Sequence, residues 1–381
     1  MAVYLIGFAL CLGLIAYSEK KKLSVFLGFS VAALLIPCMI AALRGQTIGT
    51  DVLVYVKPLT QSAIASEDLQ AFFRCYWFQE WRNLYAVDYD IGFSMVVYGV
   101  AKLTRSLPAV LFVIQALMIA PIYIAIARNR KNMPVWIGMA IYLLMFYNST
   151  LNMMRQWVAM AFLLLAFQMF LERKGITTVV LIVVACLFHS TAVVALPVYC
   201  LYWLLWMPRE RCLTQGHLTL RISTILSVLI FLVAVVALMN LPMIIKLVSM
   251  VGLSQFNNYL QGGQISLMAG QIALRIPLFA ILILCWKDMR HKWTMAPFFL
   301  TMLFLDLVVA HLVSVDVNAL RISYYFSMYS MIWIPAAIGS CQSKQKRMLL
   351  SVLILCYGVA YWYYTYVLQL RHQTYPYQFF F

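Results

Sequence analysis

The chain has 381 residues, of which 65% are hydrophobic and 10% charged, with a mean hydropathy of +0.89. Such a composition excludes a soluble globular domain and points to repeated membrane spans of about 20 residues. A net charge of +16 would raise nucleic acid as the partner of a soluble protein. Here the excess lies in short segments between apolar runs, so it sets orientation and implies membrane lipid, not nucleic acid.

The first apolar run, Ala2–Tyr17, lacks a basic leader and a small-residue cleavage site, so it reads as a retained helix rather than a signal peptide. Further runs follow at 24–43, 107–127, 133–148, 151–171, 176–190, 191–206, 222–241, 271–286, 294–313, 319–339 and 348–366. The expected fold is an all-α polytopic membrane protein with about 12 transmembrane helices, the range being about 12–14. Basic clusters separate many of the runs: Lys20–Lys22, Arg128/Arg130/Lys131, Arg173-Lys174, Arg209/Arg211/Arg221, Lys287/Arg290/Lys292 and Lys344/Lys346/Arg347. They hold most of the 28 Lys and Arg residues, which places them in the cytoplasm and both termini outside.

Ile91–Leu103 does not fit this alternation. At about 13 residues it is short for a span, and a re-entrant or interfacial segment near 91–103 keeps the parity. The expectation is one integral membrane domain over 1–381 with two long outer loops, 44–106 and 242–270. The first carries Asp51, Glu67, Asp68, Glu80, Asp88 and Asp90 among many aromatics; the second is rich in Gly, Asn and Gln. Nine cysteines are scattered through apolar segments with no CxxC pair and no metal-ligand spacing, so neither a disulfide framework, a metal nor a cofactor is expected.

Three arginines break the charge rule. Arg155, Arg275 and Arg321 lie near the starts of apolar helices on the side assigned to the exterior. A guanidinium at bilayer depth costs several kcal/mol unless paired, and a helix N-terminus disfavours it further. Three such cations on one side point to an anion site. Asn148, Asn152 and Arg155 are spaced to share one helical face that Ala159 continues; the plain alternative is a snorkelling Arg155 with asparagines joining helices. In Phe188-His189-Ser190-Thr191-Ala192, His189 can relay a proton or orient a sugar hydroxyl, or be structural. Arg275 precedes Pro277. Arg321 precedes Ser323, Tyr324 and Tyr325, suited to sugar stacking or to an ordinary aromatic belt. Asp306, mid-span, fits either function or the neutralisation of a buried arginine.

Leu43-Arg44-Gly45-Gln46-Thr47-Ile48-Gly49-Thr50-Asp51-Val52-Leu53-Val54-Tyr55 resembles the R-G-x-x-x-G-T-D-x-x-x-Y segment of EpsG-like and Wzy-type polysaccharide polymerases. The same family carries an acid before G-F/Y, here Asp90-Ile91-Gly92-Phe93, then N-x-x-R-Q-x-x-A, here Asn152 to Ala159, and F-H-x-[ST]-A, here Phe188 to Ala192. Arg321 to Phe326 and Tyr375-Pro376-Tyr377 are similar to its C-terminal segments. The matches keep their order from residue 43 to about 377. Family members often have Glu before G-F/Y, where this chain offers Asp88 and Asp90.

The resemblance implies a GT-C-like glycosyltransferase of the bacterial inner membrane that lengthens a surface glycan. Its donor and acceptor would be polyprenyl-diphosphate-linked oligosaccharides at the outer face, with a chain-length regulator protein as a further partner. Arg155, Arg321 and Arg275 are then expected to stabilise the departing diphosphate, because planar guanidinium forks match phosphate oxygens. The general base comes from His189, Asp51 or Asp90, with His189 ranked first, in a metal-independent reaction. Arg44, Thr50, Tyr55, Asn152, Gln156, Tyr324 and Tyr325 are expected to bind substrate. A flippase for the same lipid-linked glycan, an O-antigen ligase and an acyltransferase are the competing functions.

Overall fold

The computed structural model describes residues 1–79, 82–205, 212–215, 218–240, 265–316 and 320–380. Within them each of the twelve apolar stretches carries helix. Six helices are long and apolar enough to cross a membrane: Leu23–Ala42, Leu107–Ala127, Met154–Leu171, Ala269–Lys292, Ala296–Ser314 and Lys344–Leu368. The protein is an α-helical membrane protein. Its chain forms two compact units, Met1–Val193 with Val352–Phe381, and Val194–Ser351.

In the first unit α1 (Ala2–Ser18) and α2 (Leu23–Ala42) pair as a hairpin. Then come α3 (Lys57–Ala65), α4 (Leu69–Arg74), α5 (Ile91–Thr104), α6 (Leu107–Ala127), α7 (Val135–Ile141), α8 (Tyr147–Thr150), α9 (Met154–Leu171) and α10 (Gly175–Phe188). A π turn, Tyr142–Phe146, joins α7 to α8. Helix α9 is the centre of the unit, packed between α6 and α10, with Trp157, Ala159, Met160 and Leu163 fully buried. The outer helices expose aliphatic side chains: Ile6 and Leu10 on α1, Leu27, Val31 and Leu35 on α2, Val179, Val180 and Val183 on α10. A helix can present such a surface to hydrocarbon because its backbone polar groups are satisfied internally.

Polar contacts fix which helix ends lie together. Arg128, just past α6, forms a bidentate ion pair with Glu172, just past α9, and Asn129 donates to Gln168 at 2.8 Å. The Arg128 hydrogen bonds pull the Glu172 carboxyl down to about 2. Helices α6 and α9 therefore run side by side in the same direction, with the basic residues at their C-terminal ends. The polar segments carrying Asp90, Ser106 and Arg155 gather at the N-terminal ends. Helix α5 starts at Asp90 beside α9 and stops two residues before α6, so both of its ends lie at that same end of the unit.

The segment 44–106, expected as the first outer loop, is built, not loose. Helix α3 runs alongside α5, and the Lys102 ammonium donates to the Ser66 carbonyl. Asp68 caps α4 by accepting the Ala71 N–H at 2.7 Å. An antiparallel hairpin of β1 (Tyr76–Gln79) and β2 (Arg82–Tyr85) follows, with Tyr76 opposite Tyr85 and Phe78 opposite Asn83. The all-α expectation omitted it. The consecutive aromatics Tyr76-Trp77-Phe78 favour a strand, but so short a run is lost among the loop's other aromatics.

In the second unit α11 (Ala195–Leu205), a strand pair β3 (Cys212–Gln215) and β4 (Leu218–Arg221), and α12 (Ile222–Met239) precede the helices Ile276–Lys292, Ala296–Ala310, Leu320–Ser327 and Ser330–Ser340. The run 319–339 is thus two shorter helices. A separate turn of helix, Ala269–Ala273, precedes Arg275 and Pro277; proline suits a first helical turn because its missing N–H has no partner there. Of the segment 242–270, expected as the second outer loop, residues 242–264 lie outside the described residues.

Candidate active site

Gly49 sets the geometry. Its φ is +76°, and a Cβ there would stand 2.3 Å from the Leu151 carbonyl oxygen. Only a residue without a side chain allows both the left-handed backbone and this approach. The approach lays Thr50 and Asp51 against the break before α9. Thr50 Oγ1 donates to Asn152 Oδ1 at 2.6 Å, and the Asp51 N–H points to the same oxygen at 3.4 Å. The Asp51 carboxylate accepts the Met154 N–H at 3.1 Å, at the start of α9, where helix geometry favours an anion. Tyr55, one turn after Asp51, donates its hydroxyl to the same carboxylate. Burial, together with the Asp51 charge, pushes the Tyr55 hydroxyl well above its ordinary value, so it stays a donor.

The asparagines do not share one helical face with Arg155. Helix α8 ends at Thr150, α9 begins at Met154, and Met153 between them is non-helical at φ −99°, ψ 58°. Ser149 and Thr150 hydroxyls bond back to the carbonyls of Phe146 and Tyr147, competing with continuation of the helix. Asn148 is buried below, bridging Trp362 Nε1 (2.7 Å) and Thr374 Oγ1 (2.8 Å).

Asp90 is the junction of the site. Its Oδ2 accepts from Arg155 Nη1 at 2.6 Å and lies 3.4 Å from His189 Nδ1. Gly92 explains the second contact: a Cβ there would be 2.9 Å from the Leu187 carbonyl, so α5 starts hard against the end of α10, two residues before His189. Phe93 is buried against Tyr55, and Phe188 stacks on Phe162, fixing both backbones. Asp88 instead accepts the Tyr85 N–H at 3.1 Å and caps the short turn Ala86–Asp88 that follows β2. Asp90 is therefore the acid that reaches the arginine. Partial burial raises the Asp90 pKa, but the hydrogen bond to His189 and the charge of Arg155 outweigh it, and the net shift is downward. The Arg155 guanidinium is also sandwiched 5.0 Å from each of the Tyr55 and Tyr89 rings, and Trp77 stacks on Tyr89 at 5.7 Å.

The C-terminal tail completes this end of the unit. Gly49 N–H donates to the Gln373 carbonyl, Gly45 N–H to Gln378, and Phe380 N–H to Leu43. Leu370, His372 and Gln373 all have left-handed φ, between 50° and 64°, at a cost of about 1–2 kcal/mol each for side-chain-bearing residues. This turn sets His372 Nδ1 3.3 Å from Asn152 Nδ2. Because Asn152 Oδ1 already accepts from Thr50, its Nδ2 is the donor to His372 and Nδ1 is the unprotonated ring nitrogen. No sequence signal marked His372, which lies over 200 residues from its partner.

Arg44 is 2% exposed. Its Nη2 lies 3.8 Å from Met154 Sδ, and its Nε has no partner among the described residues. Gln156 is buried on α9, and Tyr55 is buried beneath the site. The remaining expected residues belong to the second unit. Arg275 is bidentate to Asp306 at 2.7 and 2.8 Å and donates to Gln271 Oε1 at 2.8 Å, all buried. Arg321 is half-buried on Leu320–Ser327, with Tyr324 and Tyr325 buried on the same helix. Among the described residues no group of three or more His, Cys, Asp or Glu has the arrangement of a metal site.

An apolar helical body with a polar cluster of arginine, carboxylate and imidazole at one end of a unit is the build of a membrane-embedded protein. The chain belongs to the EpsG family, whose match covers residues 25–379. No curated protein and no solved structure matches it.

Proposed function

We propose that the chain is a polysaccharide polymerase, a hexosyltransferase-type glycosyltransferase with a GT-C-like fold and about 12 spans, in the bacterial inner membrane. It joins polyprenyl-diphosphate-linked oligosaccharide repeat units at the outer face, as in O-antigen, capsule or exopolysaccharide synthesis. Family membership supports an exopolysaccharide-type polymerase. One observation carries the site: a single carboxylate, Asp90, joins the arginine that suits a diphosphate to the imidazole that suits a proton.

In this reading the acceptor hydroxyl of a new unit attacks the anomeric carbon of the growing chain. The carbon–oxygen bond to diphosphate breaks, and its electron pair leaves with polyprenyl diphosphate. The hydroxyl proton passes to His189 Nε2, while Nδ1–H points to Asp90, which stabilises the imidazolium that forms. Arg155 stabilises charge on the leaving diphosphate in a reaction that uses no metal. Arg321 is assigned to a second phosphate, on its motif alone, with Tyr324 and Tyr325 beside it. Asp51, Thr50, Tyr55, Asn152 and Arg44 are assigned to holding the loop that positions α9, and Asp51 to that role rather than to the base. The buried Arg275–Asp306 pair supports the second unit.

The test is purified protein in liposomes supplied with lipid-linked repeat unit alone. A ladder of repeat lengths on polyprenyl diphosphate, unaffected by chelator, supports the reading. Transport of the lipid-linked unit without elongation means a flippase, and transfer only to a lipid A core means a ligase.

A further inference from the structure

Hairpin β1–β2 has two unlike faces. On the inner face, Trp77 Nε1 donates to the Val54 carbonyl at 3.0 Å, and the Gln79 amide reaches the carbonyls of Leu53 and Val54 at 3.1 Å. This face covers the turn that carries Tyr55. The outer face presents Tyr76 (63% exposed), Phe78 (67%), Tyr85 (41%) and the exposed amide of Asn83. Tyr76 and Tyr85 pair across the strands with ring centroids 5.7 Å apart.

Three rings and one amide on a two-stranded surface, with no aliphatic side chain among them, differ from the aliphatic outer faces of α1, α2 and α10, where Ile6 and Leu10, Leu27 and Val31, and Val179 and Val183 are exposed. Rings with hydroxyls and an amide between them suit instead a ligand that has apolar C–H faces and a polar rim. A pyranose has that form. Tyr76 and Phe78 are two residues apart on one strand, about 7 Å, so adjacent sugars of a chain can each meet a ring. The platform is continuous with the site, because Trp77 of the same strand stacks on Tyr89, and Tyr89 covers Arg155.

We propose that the outer face of β1–β2 is a saccharide-binding platform that holds the growing glycan beside the site. The inference rests on the polymerase reading above. The platform is not a contact for the reacting atoms; it retains the chain between additions.

The probe is the oligosaccharide freed by mild acid from lipid-linked repeat units, titrated onto full-length protein in nanodiscs. A variant with Tyr76→Ser, Phe78→Ser and Tyr85→Ser should bind it about tenfold more weakly, the loss expected for removing ring contacts. It should make shorter polymer while the rate of the first addition is unchanged. Tyr76→Phe with Tyr85→Phe should retain binding and length. A trifluoromethyl-phenylalanine placed at 78 should shift its fluorine signal on adding the oligosaccharide and be relaxed by aqueous nickel. Unchanged affinity and product length in the triple variant overturn the platform, and fluorine relaxation by lipid-borne spin label without a saccharide shift assigns the face to the bilayer. Failure of the polymerase reading looks different: the unaltered protein then makes no polymer, whatever happens at residue 78.

Discussion

The Asp51 carboxylate accepts the backbone N–H of Met154, 3.1 Å away, and so caps the helix that carries Arg155 one residue further on. The loop holding Asp51 can lie there only because Gly49 has no side chain. Gly49→Ala is expected to cost about 1–3 kcal/mol through its left-handed φ, plus the displacement of Leu151. Thermal unfolding should show a lowered Tm together with reduced activity. An unchanged Tm would mean the loop finds another path.

Arg155 and Asp90 act as a unit in this account. Arg155→Ala and Asp90→Asn should each lower kcat by about 10²–10³-fold, the scale of losing a positioned group that stabilises transition-state charge. The double variant should be little worse than either single one, because coupled groups are not additive. Strictly multiplicative losses would separate the two residues.

His372 is expected to act through Asn152. His372→Asn keeps an acceptor where Nδ1 stands and tolerates a left-handed backbone, so it should retain most activity. His372→Leu should lose activity with a raised KM and an unshifted Tm. Nitrogen NMR of the histidines should show Nδ1 of His372 unprotonated. A protonated Nδ1 would contradict the assignment of the Asn152 amide.

Glu19 carries a pH signature for stability. Burial raises its carboxyl to about 7, against weaker lowering by the Trp136 N–H, which donates to it at 3.0 Å. A raised acid pKa means the folded state binds the proton more tightly than the unfolded chain. The penalty is therefore absent below the ordinary 4.5, grows as pH rises, and is complete above about 7. Glu19→Gln should raise Tm at pH 8 and leave it unchanged near pH 4. Equal effects at both pH values would contradict the burial argument.

The buried ion pair of the second unit gives a test of role. Arg275→Ala should destabilise by about 3–5 kcal/mol by stranding Asp306. Arg275→Met with Asp306→Leu should restore most of the stability and retain elongation. Restored stability with elongation abolished would return Arg275 to the chemistry.

Much of this was legible before the structure. Apolar length alone located the helices, and loop charge separated the Arg128 end of α6 and α9 from the Arg155 end. The Gly49-Thr50-Asp51, Asp90, Asn152–Arg155 and Phe188-His189 segments converge at one end of the first unit, as a shared site requires. What sequence spacing missed depends on long-range contact. It placed Asp90 at the motif but left Asp88 as the other acid the family's Glu could match, and their partners separate them: Asp90 reaches Arg155 and His189, Asp88 the Tyr85 N–H. It aligned Asn148 with Asn152, because helical periodicity says nothing about a hydroxyl-rich break at 149–153. It passed over His372, whose role exists only because the tail folds back on Gly49. It read Arg275 as a site cation and Asp306 as either functional or neutralising a buried arginine, but it could not say that these two residues, some 30 apart on different helices, form one bidentate pair.

The most direct test of the central claim is the rate of repeat-unit addition by Arg155→Ala in liposomes, measured with protein whose Tm matches the unaltered chain. The account predicts a loss of about 10²-fold or more, with Arg155→Lys only partly restored because an ammonium lacks the planar fork. Full polymerisation by Arg155→Ala would contradict it.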